Sequence, residues 1–226
     1  MSRPTIGMLG ALGFLAAIAA WSVAGSSSRL GPRPEAERSG LALVTSLPLV
    51  FGEEFGLSSG GSPALTRLEQ RYRVVPIAVA DEKSLQGQRL LLMAHPRAQP
   101  AEALVQLDRW VRRGGKLLLL ADPKLDWPSS RAVGDRLRPQ PAFADTGLLT
   151  HWGLELSGPE VGSAETRGHL VSTGPCNVVG GGMIARCAIG RGWATIIADA
   201  DFLNVDDSEA DNLSLLVGEL NRLESR

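Results

Sequence analysis

The side chains best suited to chemistry are acids and a histidine that follow short apolar runs. Asp122 follows Lys116-Leu-Leu-Leu-Leu-Ala121. His95 follows Arg89-Leu-Leu-Leu-Met-Ala94, and Asp199 and Asp201 follow the run from Trp193 to Ala198. Glu53 and Glu54 lie in a Gly-rich stretch after Leu41-Ala-Leu-Val44. Continuous apolar runs of this length read as strands buried on both faces. In open α/β sheets the loops beyond the carboxyl ends of such strands form the ligand edge. Ser46 and Asp81 end two further runs. Carboxylates gathered there can bind a cation or divide acid and base roles. Asp-Pro and Asp-x-Asp after strands also cap turns through side-chain hydrogen bonds, and that is their commoner use.

Other chemistries lack their spacing. His95, His151 and His169 are far apart, with no His-x-x-x-His or His-Glu-x-x-His pattern, so no metal site is expected. No Gly-x-Gly-x-x-Gly turn occurs, so no dinucleotide cofactor is indicated. The 226 residues hold 23 Lys+Arg against 24 Asp+Glu, a net charge of -1, which excludes a basic nucleic-acid binder. Trp110, Trp127 and Trp152 could stack on a sugar or a protein partner. Trp110 lies one position before an expected buried helix face. That leaves Trp127, in a Pro-rich stretch, as the candidate exposed anchor.

The elements that must position these residues alternate. Ser62-Pro63 starts a helix, with Ser as N-cap and Pro at the first helical position. Val74 to Val79 reads as a β-branched strand. Pro100 opens a second helix whose Leu104, Leu107 and Val111 share a face, and Gly114-Gly115 ends it. Lys124 to Thr146 is a long polar excursion with three prolines. A short helix is expected over 147–152, and short strands over 154–156 and 168–173. Asp207 or Ser208 caps a last helix with Leu213, Leu216, Val217, Leu220 and Leu223 on its buried face. The order β-α-β-β-α-β predicts a flavodoxin-like, mostly parallel α/β sheet flanked by helices, with a C-terminal β-hairpin addition.

That hairpin places the two cysteines. Cys176-Asn-Val-Val-Gly180 and Met183-Ile-Ala-Arg-Cys187 flank Gly181-Gly182, a pair suited to a two-residue turn. In that register Cys176 lies opposite Cys187, at a Cα separation of about 4.5 to 5.5 Å. This lies within disulfide range, the alternative being two packed thiols. A disulfide requires an oxidising compartment.

Residues 4–28 carry no charge and are rich in Leu, Ala, Ile and Gly. About 20 such residues span a bilayer core as a helix. Ser22-Val23-Ala24 also resembles a signal-peptide cleavage site. Residues 1–28 are therefore expected to be a membrane anchor or signal segment, 29–40 a linker, and 41–226 a single α/β domain. Only Arg3 precedes the apolar stretch, whereas Arg29, Arg33 and Arg38 follow it, a charge balance that opposes export. The cysteine register favours export. The expectation is a single pass in the inner membrane with the domain in the periplasm.

Two segments resemble a known family. Ala103 to Pro123, a helix, Gly-Gly, a strand and Asp-Pro, is similar to a passage of the ABC-type transport auxiliary domain, as in gliding-motility transporter auxiliary proteins. Gly190 to Leu203, with Asn212 in the following helix, resembles that family's closing strand, its Asp-x-Asp-Phe-Leu turn and its last helix. The resemblance implies a class I glutamine-amidotransferase-like fold without the catalytic Cys. It also implies attachment to the membrane on the periplasmic side and service to a transporter or associated complex. A similar group of membrane-anchored proteins is encoded beside MoxR-type ATPases. This domain is short and shows no second membrane helix, and the family supplies no catalytic residues. The expected function is a non-catalytic auxiliary or binding component of a membrane complex. The alternative is a carboxylate-dependent hydrolase at the carboxyl edge. Candidate edge residues are Glu53, Glu54, His95, Asp122, Trp127, Asp199 and Asp201.

Overall fold

The computed structural model describes residues 30–52, 61–159, 167–205 and 213–226. Among these residues nine strands run in chain order: β1 Ser39–Thr45, β2 Tyr72–Pro76, β3 Leu90–Ala94, β4 Lys116–Leu120, β5 Leu154–Ser157, β6 His169–Ser172, β7 Cys176–Val179, β8 Ile184–Ile189 and β9 Gly192–Ile197. The α-helices are α1 Pro63–Glu69, α2 Ala101–Arg112, α3 Leu148–His151 and α4 Ser214–Glu224. The main sheet has the order β2-β1-β3-β4-β9-β8-β7. Its β2-β1-β3-β4-β9 part is parallel, and β9-β8-β7 is antiparallel. This is the flavodoxin-like sheet with a hairpin addition that the alternating pattern predicts.

The physical reason lies in β3 and β4. Leu91, Met93, Leu117 and Leu119 enter one core, while Leu90, Leu92, Leu118 and Leu120 enter the other. Neither face can meet water, so both must be covered. Leu107 and Val111 of α2, with Ala80 and Leu85 of the β2–β3 crossover, cover the first face. Leu65 and Leu68 of α1 and Leu216, Leu220 and Leu223 of α4 cover the second. Ser62 Oγ accepts the Leu65 N–H at 3.1 Å, the expected N-cap. Leu104 is only partly buried, and Ala103 takes the third buried place on its helix. Asp207 and Ser208, the expected caps of the last helix, lie outside the described residues, as does Asn212.

One expectation is corrected. The second strand runs from Tyr72 to Pro76, not from Val74 to Val79. Pro76 lies opposite Leu43 and has no N–H to extend the ladder. Ile77 makes a last bond to the Leu43 carbonyl, and the chain then crosses the sheet. The short strands expected over 154–156 and 168–173 are present as β5 and β6, and they pair with each other, antiparallel, in a separate two-stranded sheet.

The hairpin has the expected register, with Cys176 opposite Cys187 and Val179 opposite Ile184. Gly181 and Gly182 have φ of 65° and 93°, the positive values a type I′ turn needs at its two central positions. The cysteines form a disulfide, with Cα atoms 4.0 Å apart.

At the amino edge of the sheet, part of the segment expected as linker is held. A 3-10 turn spans Glu35–Glu37. Arg33 pairs with Glu224 of α4 at 2.6 Å, donates to Asn221 Oδ1 at 3.2 Å, and lies 5.3 Å over the Tyr72 ring. The Glu224 hydrogen bond raises the Arg33 pKa above its ordinary value, against the burial that opposes its charge. Arg71 is buried and donates to the Gly31 carbonyl. No described helix is long and apolar enough to cross a membrane. The charge-free stretch 4–28 lies outside the described residues.

Reducing the disulfide, which closes a separation of 11 residues, is expected to lower unfolding free energy by at most about 3 kcal/mol. Denaturant titration with and without reductant measures it. Gly192→Ala should cost about 3 kcal/mol or more, because an added methyl overlaps the carbonyl oxygens of Val111 and Gly115. A melting temperature equal to wild type would contradict that packing.

Candidate functional site at the carboxyl edge

His95, Asp122 and Asp199 come to one edge because β3, β4 and β9 are parallel neighbours. Glu53 and Glu54 lie outside the described residues. One carboxylate oxygen from each of Asp122, Asp199 and Asp201 lies within 4.8 Å of the others. Asp122 is 1% exposed. Its Oδ1 accepts the Lys124 N–H at 2.8 Å and its Oδ2 accepts the Ala200 N–H at 2.9 Å. Asp199 Oδ1 accepts the Asp201 N–H at 2.9 Å, and Asp201 Oδ1 accepts the Asp126 N–H at 2.8 Å. The three acids thus cap the exits of β4 and β9 and hold the start of the Pro-rich excursion to them.

Clustering has an electrostatic consequence. Burial, with the Asp122 charge, raises the Asp199 pKa, although Arg167 lies 3.7 Å away. Burial pushes Asp201 up to about 6, and the charges of Asp122, Asp199 and Asp126 add to it against the Asp126 N–H bond. Such a group can hold a proton near neutrality, and the set can hold a divalent cation through its oxygens.

His95 is fully buried and has φ of 44°. Its N–H donates to the Leu120 carbonyl, and its own carbonyl accepts from Ser46 Oγ at 2.5 Å. Burial lowers its pKa despite the Gln140 carbonyl and Asp122, so the ring is neutral. Nε2 lies 2.9 Å from the Gln140 carbonyl and must be the protonated nitrogen. Nδ1 has no hydrogen-bond partner among the described residues. The Ser46 hydroxyl meets the backbone of His95, not its ring. Both cysteines are in the disulfide. Neither pairing builds a nucleophile with a base.

The tryptophans do not converge. Trp152 is buried in the first core and donates from Nε1 to Asp108 Oδ1 at 2.8 Å. Burial pushes the Asp108 carboxyl up, but its bonds from Arg112 and Trp152 hold it below the usual range. Trp110 packs against that same core, as expected of it. Trp127 packs, half-buried, against the second core on the opposite face. It is therefore no freely exposed anchor.

The edge also holds a feature that residue spacing did not reveal. Arg97, Arg131 and Arg136 come together beside the ends of β1 and β2, around a cleft of about 320 Å³. The only signal in the chain is the density of arginine between 131 and 138. A second hollow, of about 680 Å³, lies between the β2–β3 crossover and α2 and mixes both charges, with Glu82 and Arg113 at 3.5 Å.

Residues 38–169, more than half of the chain, match the family described as an ABC-type uncharacterized transport system, and the chain belongs to that family. No curated protein matches it. Among solved structures, the mmIFT52 N-terminal domain is similar at 14% identity with a TM-score of 0.54, covering 83% of this chain and 98% of that one. The exo-β-1,4-mannosidase Op5Man5 from Opitutaceae bacterium strain TAV5 is similar at 14% identity and a TM-score of 0.45, over 81% of this chain and 36% of that chain. At such identities the likeness to the first is one of fold.

Because the folded pKa of Asp201 lies above its unfolded value, its contribution is favourable below about pH 4 and is lost as pH rises through about 6. Asp201→Asn keeps an acceptor for the Asp126 N–H and removes the charge. It is expected to stabilise the protein at pH 7.5 by about 1 kcal/mol after solvent screening, with little gain at pH 4. Melting temperatures of both proteins at the two pH values measure the difference.

Proposed function

We propose that this protein is a membrane-anchored periplasmic component of an ABC-type transport complex that acts by binding rather than catalysis. The family match over residues 38–169 carries this reading. The Cys176–Cys187 disulfide supports an oxidising compartment. The charge-free stretch 4–28 is of the length an anchor needs. The resemblance to a glutamine-amidotransferase-like fold without its nucleophile fits a chain whose cysteines are tied together on a hairpin.

The fold gives this reading a geometry. The described chain enters at the amino edge, where Arg33 is clamped to Glu224 and Tyr72. With residues 1–28 in the bilayer, that edge faces the membrane. The carboxyl edge, with its acids and its arginine cleft, faces away and meets partners.

Alkaline phosphatase fused after Arg226 is expected to be active, and a green fluorescent protein fusion there to be dark. The reverse pattern would place the domain in the cytoplasm. Crosslinked pull-down from native membranes should recover ABC-transporter subunits. The raised pKa of Asp201 favours one other reading, an acid-dependent hydrolase at this edge. Turnover of a glycan, ester or phosphate substrate that is lost in a folded Asp201→Asn variant would establish that reading and end ours.

A further inference from the structure

The strand order reverses between β1 and β3. From β1 the chain moves outward to β2, then crosses back to β3 on the other side. The loops after β1 and β3 therefore part, and a crevice opens at the carboxyl edge. Open α/β sheets bind ligands at this kind of switch point. The cleft of about 320 Å³ lies beside this point, at the ends of β1 and β2 with Arg97 from the loop after β3, and is at the small end of the range for small-molecule pockets.

Its lining is amphipathic in a particular way. Leu47, Val50 and Ile77, from the loops after β1 and β2, make an apolar floor. Phe51, 75% exposed, and Leu137, 55% exposed, stand at the mouth. Arg97, Arg131 and Arg136 complete the wall, and among the described residues no Asp or Glu lines it. Arg131 lies 3.6 Å from the Asp135 carboxylate. Arg97 donates to the backbone carbonyls of Arg136 and Arg138, which are neutral acceptors. Among the described residues no carboxylate pairs with Arg97 or Arg136. Two guanidiniums without a counter-charge among the described residues, beside apolar surface, match an oxyanion carried on an apolar body.

We propose that this cleft binds a small organic anion, a carboxylate or phosphate group on an apolar body, at the switch point of the sheet. The site goes beyond the transport reading and does not depend on membrane attachment. It is also separate from the Asp122, Asp199 and Asp201 cluster, which would repel the same ligand.

The test is calorimetric titration of the purified full chain with four probes. They are 4-phenylbutyrate, phenyl phosphate, 4-phenylbutylamine and inorganic phosphate. The two aryl anions are expected to bind, and the tighter of them identifies the head group. The amine is expected not to bind, and inorganic phosphate to bind at least tenfold more weakly than phenyl phosphate. Arg136→Gln should weaken the aryl anions at least tenfold at an unchanged melting temperature, since that side chain holds no partner among the described residues. Arg113→Gln, the same charge change at the other hollow, should leave binding unchanged. Equal binding of the amine, binding of neither aryl anion, or an Arg136→Gln variant that binds like wild type would overturn the site.

Discussion

Strands β3 and β4 offer no polar face. Their leucines alternate into two cores, so the sheet can exist only as the middle layer of three. Every other feature answers that demand. α2 and the β2–β3 crossover close one side, and α1 and α4 close the other. Four parallel pairings follow, because layers of this kind are built by crossovers. The antiparallel β8 and β7 then extend the sheet beyond β9. The ion pair between Arg186 and the buried Glu219 ties that extension to α4 at 2.5 Å.

A parallel sheet collects its strand ends, and this decides what each edge can do. At the amino edge, Arg33, Arg71 and Lys116 converge on the end of α4. Lys116 Nζ donates to the Glu224 carbonyl at 2.9 Å, where helix polarity favours a cation. The carboxyl edge is organised by Asp122, which holds the departing excursion and the turn after β9 with its two oxygens. An excursion without regular secondary structure, from Lys124 to Thr146, can therefore pass over the edge in a defined course. Leu125 bonds to the Pro141 carbonyl, Phe143 to that of Asp122, and the His95 ring to that of Gln140. That course delivers Arg131 and Arg136 to the cleft beside β1.

The carboxyl edge is thus polarised. An acidic cluster sits at the ends of β4 and β9, and a basic, apolar-floored cleft sits at β1 and β2. A uniform edge would suit a single broad contact. A polarised one suits a partner or ligand that must dock in one orientation, because reversing it would set like charges together. Within it the acids hold the shape of the turns after β4 and β9.

Much of this could be read from the residues because it rests on local rules. Apolar runs, Ser62-Pro63, Pro100 and Gly114-Gly115 marked elements whose geometry depends on a few neighbours. Gly181-Gly182 set a register that placed Cys176 opposite Cys187 without further information. Asp122, Asp199 and Asp201 were visible as strand-end acids, since parallel strands bring their ends together. Long-range contact decided the rest. The pairing of β5 with β6 and the exit of β2 at Pro76 depend on which strand lies beside which. Trp127 is half-buried because the excursion folds onto the second core, a fact no local pattern encodes. Arg97 and Arg136 lie 39 positions apart in the chain, and only the fold brings them to one wall. The sequence by itself determined the layers, the cysteine register and the acids at the edge, each a matter of period, turn type or strand polarity. Only tertiary structure decided which side chains face one another across that edge, because a long irregular segment takes its path from the surface it lies on.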